Sequence, residues 1–320
     1  MRALVTGGAG FLGSHLVDAL MDAGWQVSVV DNLSSGSLEN LRRWLDHPRL
    51  SFYEEDLKSR NGSWLKALED VDVVFHFAAN PEVRTSATEP RVHFDENVLA
   101  TFNVLEAARE AGIGALVFAS TSAVYGEGGE KPVGEEEPKK PISVYGASKL
   151  ACEVLIETYH RLYGMKALVL RFANVVGPRA KHGVIVDFIA KLRENPRKLI
   201  ILGDGSQRRS FIYVKDAISA TLFLLKKLMN NEFSCEVFNI GNDDWISVLE
   251  VADIVVEEMG LKDVRYEFLK GTPDGRGWPG DVKKIRLDIS KLKGAGWRPT
   301  LSSREAVRET VRSLISGEGP

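Results

Sequence analysis

Cysteine is nearly absent: Cys152 and Cys235 are the two in 320 residues. Two thiols cannot build a disulfide framework, and they come without CxxC or Cys/His spacing, so no metal site is expected. No apolar run approaches the roughly 20 residues a membrane-spanning helix needs, and a strand pattern already begins at the second residue, leaving no room for a leader. A cytoplasmic protein without a membrane partner is expected. Positive charge does not dominate either: 41 Lys and Arg against 44 Asp and Glu leave a net charge of −3. That balance, with no long basic run, argues against nucleic acid as a partner and for a small molecule. The length fits one large or two ordinary domains, with 44% apolar and 27% charged residues as in globular chains.

The opening stretch organises the chain. Ala3 to Val5 is apolar and enters Thr6-Gly7-Gly8-Ala9-Gly10-Phe11-Leu12-Gly13; Leu12, Leu16, Ala19 and Leu20 follow at helical spacing, and Val27 to Val30 delivers Asp31. This is strand, glycine turn, helix, strand and acid, one βαβ unit. A pyrophosphate must approach the backbone closely, and a Cβ at the turn would hold it away. Free N–H groups at the start of the helix, aided by its dipole, then meet the phosphates. Asp31, eighteen residues after Gly13, stands where a carboxylate accepts both ribose hydroxyls and repels a 2′-phosphate, so NAD is favoured over NADP. Asn32, Ser35 and Gly36 follow in a polar turn.

Further along, a short helix is expected through Leu41, Trp44 and Leu45, then a strand over Leu50 to Tyr53 that runs toward Asp56-Leu57. On local pattern alone Asp56 reads equally as a helix N-cap. Val71 to Phe75 is a β-branched run, read as a buried parallel strand, and leads into His76-Phe77-Ala78-Ala79-Asn80, where small residues leave space for a cofactor. Arg84 and Ser86 lie in the next loop, at the carboxyl edge of the sheet where open α/β folds bind ligands; a solvated arginine is the plainer alternative. Residues 94 to 111 form a helical pattern in which Asn97 is polar, and the strand Ala115 to Ala119 ends in the hydroxyl cluster Ser120-Thr121-Ser122. A surface loop over 126 to 141 precedes Tyr145-Gly146-Ala147-Ser148-Lys149, which opens a helix to about Tyr163. Spacing of four puts Tyr145 and Lys149 on one helix face, where an ammonium stabilises a phenolate.

After the strand Lys166 to Phe172, the Gly177-Pro178 pair breaks regular structure. The change from a cofactor domain (1–173) to a mainly substrate-binding domain (174–320) is placed here, with the sheet completed by later segments near 212–240. Later helices are expected over Val186 to Arg193, Lys215 to Leu228 and, last, Val248 to Met259, with short strands at Leu199 to Leu202 and from Phe238.

The GxxGxxG spacing resembles the extended short-chain dehydrogenase/reductases. TGGAGFLG, DNLSSG, HFAAN, STSAVYG, YGASK, RFANVVGPR, GDGSQRRSFIYV and GWPGDV, in this order, resemble the NAD-dependent sugar-nucleotide epimerase/dehydratase family, and within it most of all the UDP-glucose 4-epimerases. The resemblance implies an α/β fold, a Rossmann-type doubly wound parallel sheet with a smaller C-terminal α/β domain for a UDP-hexose, and a homodimer formed through the helices near 97–112 and 145–163. It assigns catalysis to Thr121, Tyr145 and Lys149. Around NAD it places Gly7, Gly10, Phe11, Leu12, Asp31, Asn32, Ser35, Gly36, Asp56 (beside the adenine), Leu57, Phe77, Ala78, Ala79, Asn97, Ala119 and Phe172, with Tyr145 and Lys149. Around the substrate it places Arg84, Ser86, Asn174, Val184, Ile185, Leu202, Arg209, Arg276 and Asp281, with Thr121 and Tyr145. Dehydratases and decarboxylases of the family carry acids immediately before the Val-Tyr-Gly triplet; this chain has Ser122 and Ala123, which disfavours elimination. Ile285 replaces a bulky tyrosine of narrow-specificity members and leaves room at the sugar C2.

Overall fold

In the computed structural model, which describes residues 1–269 and 271–317, seven parallel strands form one sheet. They are β1 (Arg2–Thr6), β2 (Gln26–Asp31), β3 (Leu50–Glu54), β4 (Val73–His76), β5 (Ala115–Thr121), β6 (Lys166–Phe172) and, after four short strands, β11 (Cys235–Ile240). Their order is β11-β6-β5-β4-β1-β2-β3, so the topological switch lies between β1 and β4. Ligands of open α/β sheets bind outside the carboxyl ends at that place.

Side-chain alternation explains the near-continuous apolar strands. Ala3 and Val5 face α1 (Phe11–Asp22), through Leu16, Val17 and Leu20. Leu4 and Phe118 point to the other face, against α3 (Ala100–Glu110) and α4 (Val144–Tyr163), through Leu105, Ala108 and Ile156. A short α2 (Pro90–His93) and a π-helical turn over Phe94–Leu99 precede α3, so the single helix expected over 94–111 is broken at its start. The helix expected through Trp44 shrinks to a 3₁₀ turn at Leu38–Leu41.

Beyond Phe172 the chain builds a second core. It contains β7 (Asn174–Val176), α5 (Val184–Glu194), β8 (Lys198–Leu202), β9 (Arg208–Arg209), β10 (Phe211–Tyr213), β12 (Ile246–Ser247), α7 (Val248–Glu258), β13 (Arg265–Leu269) and β14 (Lys284–Ile285). Phe188 of α5, Val251 and Val255 of α7 and Val307 and Val311 of α9 (Ser303–Ser316) are fully or nearly fully buried together there. Between these elements α6 (Val214–Met229) and α8 (Ser290–Gly294) return to the first core through Ala217, Leu224 and Leu292. Of the later segments, β11 completes the large sheet, whereas β10 pairs with β7 apart from it. The expectation that Val248 opens the last helix is overturned by α8 and α9. The signal for α9 was present as the capping box Ser302 with Glu305, masked by a charged outer face.

Candidate active site

A single cleft of about 800 Å³ runs across the carboxyl ends of the strands, from Asp31 and Asp56 past Tyr145 and Phe172 to Arg209 and Asp281. Its first end is built on the glycine turn. Gly7 has φ +69°, and a Cβ there would lie 2.7 Å from the Ala78 backbone nitrogen; a Cβ on Gly13 would lie 2.1 Å from the Gly7 carbonyl oxygen. These two glycines are therefore demanded by the crossing of β1, β4 and α1 themselves. All three glycines line the cleft, Gly10 at the N-cap of α1 with Phe11 and Leu12 beside it, and no side chain caps that helix end. Asp31 is 8% exposed and accepts from the N–H of Ala9 (2.9 Å) and of Leu33 (2.8 Å). Burial nevertheless pushes its carboxyl upward, against these bonds and the nearby Lys181.

Asn32, Ser35, Asp56, Leu57, Phe77, Ala78, Ala79 and Ala119 join this wall. Asp56 accepts from the Lys58 N–H (2.9 Å) and pairs with its ammonium (3.3 Å), so it closes a local turn rather than capping a helix. Gly36 is absent from the wall itself, and its carbonyl lies 3.4 Å from the Lys181 ammonium. Asn97, 1% exposed, accepts from the Asn80 N–H (2.8 Å), donates to Ser148 Oγ (2.9 Å) and stands behind the cleft wall. It positions the loop after β4 against α4.

The middle of the cleft holds the three residues expected to do chemistry. Ser143 caps α4 by accepting from Gly146, and Gly146 lets the helix start close on the 122–124 turn, since a Cβ there would meet the Ala123 carbonyl oxygen at 2.5 Å. Tyr145 is thereby brought beside Thr121 in the cleft wall, near enough for the Thr121 hydroxyl to act on its phenol. Burial pushes the Tyr145 phenol up to about 12, and the Thr121 hydroxyl acts in the opposite sense. Lys149 is 2% exposed, lies 4.5 Å over the Phe118 ring and donates to the Ala119 carbonyl at 2.7 Å; burial lowers its ammonium to about 8. In the protein alone burial, opposed by Thr121, sets the tyrosine, and the Lys149 ammonium is not among the groups that lower it. Ser86 does not reach the cleft: its hydroxyl accepts from the Tyr145 N–H (3.1 Å) and fixes the start of α4.

The second end combines Arg84, Asn174, Val184, Ile185, Leu202, Arg209, Asp281 and Ile285. Arg209 pairs with Asp281 at 2.5 Å and keeps its other terminal nitrogen buried without a partner. Desolvation lowers the Arg209 guanidinium and raises the Asp281 carboxyl, in each case against their mutual attraction. Arg276 is held by Glu127 and Asp274, both at 2.6 Å, and by the Asp281 carbonyl, outside the cleft wall in the protein alone. Trp278 takes a place in the wall instead, its indole N–H buried and unpartnered and its ring 4.6 Å from the Arg84 guanidinium. Gln207, Arg179 and Lys181 also line the cleft. Sequence reasoning passed over these four, although an arginine straight after Gly177-Pro178 was a legible signal. Ser122 and Ala123 face the cleft, and no carboxylate stands at that turn.

The first end fits a dinucleotide. The uncapped helix start would hold a pyrophosphate and Asp31 a ribose, and the small side chains of Ala78 and Ala79 leave the strand end open. The comparisons agree. The model of the NAD-dependent epimerase/dehydratase family matches residues 3–241. The crystal structure of a UDP-galactose 4-epimerase is 51% identical, with a TM-score of 0.88 and 99% of each chain covered. A UDP-N-acetylglucosamine 4-epimerase from Methanobrevibacter ruminantium M1 is 34% identical (TM-score 0.86, 99% and 98% covered). A UDP-glucuronic acid 4-epimerase from Bacillus cereus, solved with UDP-glucuronic acid and NAD, is 31% identical (TM-score 0.88, 99% of each chain). Glycine turn, acid, tyrosine and lysine thus stand in one cleft of a chain that belongs to the NAD-dependent epimerase/dehydratase family, an enzyme whose cofactor is NAD.

Proposed function

We propose that the chain is a UDP-glucose 4-epimerase, interconverting UDP-glucose and UDP-galactose through a transient 4-keto sugar. The observation that carries this reading is the pairing of Tyr145 with Thr121 beside a turn, Ser122-Ala123, that has no carboxylate. Tyr145, once deprotonated, removes the proton of the sugar 4-hydroxyl, and Thr121 hydrogen-bonds the same oxygen. The Lys149 ammonium supports the phenolate and the nicotinamide ribose. Bound NAD supplies the redox half, taking hydride from C4 and returning it to the opposite face. Without an acid near C5 and C6 nothing protonates a leaving hydroxyl, so the keto sugar is reduced again rather than dehydrated. The free nitrogen of Arg209 and the indole N–H of Trp278 are donors for the diphosphate, an anchor about which the sugar turns.

Ile285 in the wall, 6% exposed, supports a second substrate, the N-acetylated sugar, because no bulky ring fills the space there. The outer faces of α3 and α4 leave Phe102 (40%), Val154 (56%) and Leu162 (67%) exposed, which supports a homodimer through these helices. No helix among the described residues is long and apolar enough to cross a membrane, in keeping with a cytoplasmic enzyme. The test is incubation of purified protein with UDP-glucose, without added NAD, following the C4 configuration by NMR. UDP-galactose is expected. No conversion of UDP-glucose or UDP-N-acetylglucosamine, with NAD supplied, overturns the reading in favour of a 4-keto reductase or a non-catalytic NAD-binding protein.

A further inference from the structure

The turn from Gly177 to Gly183, between β7 and α5, reaches back to the cofactor half at three points. The Pro178 carbonyl lies 3.0 Å from His15 Nε2, Arg179 pairs with Asp18 at 2.8 Å, and the Lys181 ammonium lies 3.4 Å from the carbonyls of Ser35 and Gly36. The segment is a strap laid from the first turns of α1 to the loop after β2.

Arg179 carries two features that fold stability alone does not favour. Its φ is +68°, a left-handed conformation that crowds the Cβ of a non-glycine residue against its own backbone. Its side chain is 8% exposed, yet Nε and one terminal nitrogen are buried with no partner. Unsatisfied guanidinium N–H groups at the wall of a ligand cleft are donors held for something that enters it.

The chemistry of that ligand follows from position. Phe11, His15 and Asp18 succeed one another along one face of α1, and the strap touches this face at His15 and Asp18, with Arg179 in the wall of the cleft that Gly10 and Phe11 also line. The glycine turn supplies N–H groups and a dipole there, but it has no lysine or arginine between Thr6 and Gly13, and the first helical turn has no acid. Of the other cleft cations, Lys58 pairs with Asp56 and Glu96, Lys149 with the Ala119 carbonyl, Arg84 with the Trp278 ring and Lys181 with the Ser35 and Gly36 carbonyls, while Arg209 keeps a free nitrogen beside Asp281 at the substrate end. We infer that Arg179 is a ligand of the dinucleotide pyrophosphate, donating through Nε–H and its free terminal N–H, and that the strap 177–183 retains NAD in the protein. The same strap runs into Val184 at the start of α5, in the substrate end of the cleft, so cofactor retention and the substrate wall share one segment.

The test compares Arg179→Gln, Arg179→Gly and Asp18→Asn in the full chain. It measures NAD per protomer after purification, the rate of NAD loss on dialysis, and the affinity of the NAD-depleted chain for ADP-ribose and for adenosine. Loss of a charge-assisted contact to phosphate speeds NAD loss and weakens ADP-ribose by about tenfold to hundredfold, while adenosine, which lacks the pyrophosphate, binds unchanged. Asp18→Asn keeps the cation and retains NAD at the original rate or longer. Arg179→Gly relieves the left-handed backbone and reads out the contact even where Arg179→Gln fails to fold. Equal NAD loss from Asp18→Asn and the Arg179 variants makes the strap a structural latch and overturns the inference, as does ADP-ribose binding to Arg179→Gly with its original affinity.

Discussion

The proposed catalytic residues rest on a buried charge pair whose removal gives a quantitative test of how the site is supported. Glu153 lies one turn beyond Lys149 on α4, and Arg171 lies on β6; their side chains are 7% and 4% exposed. The guanidinium donates to Glu153 at 3.0 and 2.7 Å, to the Tyr125 hydroxyl at 2.8 Å and to the Glu135 carbonyl at 2.9 Å. Ser120, next to Thr121, donates to the same carboxylate. The carboxylate beside Arg171 holds the guanidinium above its ordinary value, so it stays charged. Glu153→Gln then leaves a buried cation facing an amide, a loss of about 3–5 kcal/mol. With about 2 cal/mol/K of unfolding entropy per residue, that corresponds to a fall in Tm of roughly 5–7 °C for a chain of this length. Replacing both partners, Glu153→Met with Arg171→Met, removes the uncompensated charge and restores at least half of the loss, the remainder reflecting Ser120 and Tyr125 left with fewer partners. The assay is urea unfolding at fixed NAD, read as a double-mutant cycle. A loss below about 1 kcal/mol in Glu153→Gln, or a double variant no better than the single one, refutes the reasoning.

Tyr145→Phe removes the proton acceptor and leaves the cleft shape, so kcat falls by about 10²–10⁴ while NAD content, measured by release on denaturation, is unchanged. The depressed Lys149 ammonium makes stability pH-dependent. Between about 8, its folded value, and 10.5 the folded chain binds fewer protons than the unfolded chain, so this residue's contribution rises with pH and its penalty is complete below 8. The stability gained by Lys149→Met therefore shrinks by about 3 kcal/mol between pH 7.5 and 10.5, seen in urea midpoints at the two pH values; a constant gap contradicts it. Ile285→Tyr fills the cleft wall near the proposed sugar C2, and kcat/KM for UDP-N-acetylglucosamine is expected to fall by at least about tenfold relative to UDP-glucose, measured side by side.

Some of this site was legible without coordinates because it depends on spacing within one element. Tyr145 and Lys149 share a helix face by arithmetic, and Gly7, Gly10 and Gly13 mark a turn whatever packs on it. Asp31 ends its strand by the same local logic, and the missing acid at Ser122-Ala123 is read directly. Helix boundaries were the weaker part. The π-helical turn at Phe94–Leu99 interrupts a stretch whose pattern reads as one helix, whereas α9 carries its own signal in the Ser302–Glu305 capping box and the buried stripe Ala306, Val307, Thr310 and Val311.

Residues whose role depends on a distant partner were not legible. Arg276 suits a phosphate by type, and its pairing with Glu127, 149 positions away, is visible only in the fold. Ser86 has the chemistry to touch a sugar, and its acceptance of the Tyr145 N–H across 59 positions is equally a product of the fold. Arg179 looked like part of a Gly-Pro turn until the fold buried its guanidinium against α1. The sequence by itself determined the strands, the glycine cradle, the acid for the ribose and the tyrosine-lysine pair, because each is fixed by local sterics and helical or strand periodicity. Only the tertiary structure decided which polar side chains face the cleft, because in a closed interior an arginine or serine is claimed by whichever opposite charge or unpaired N–H the fold brings nearest.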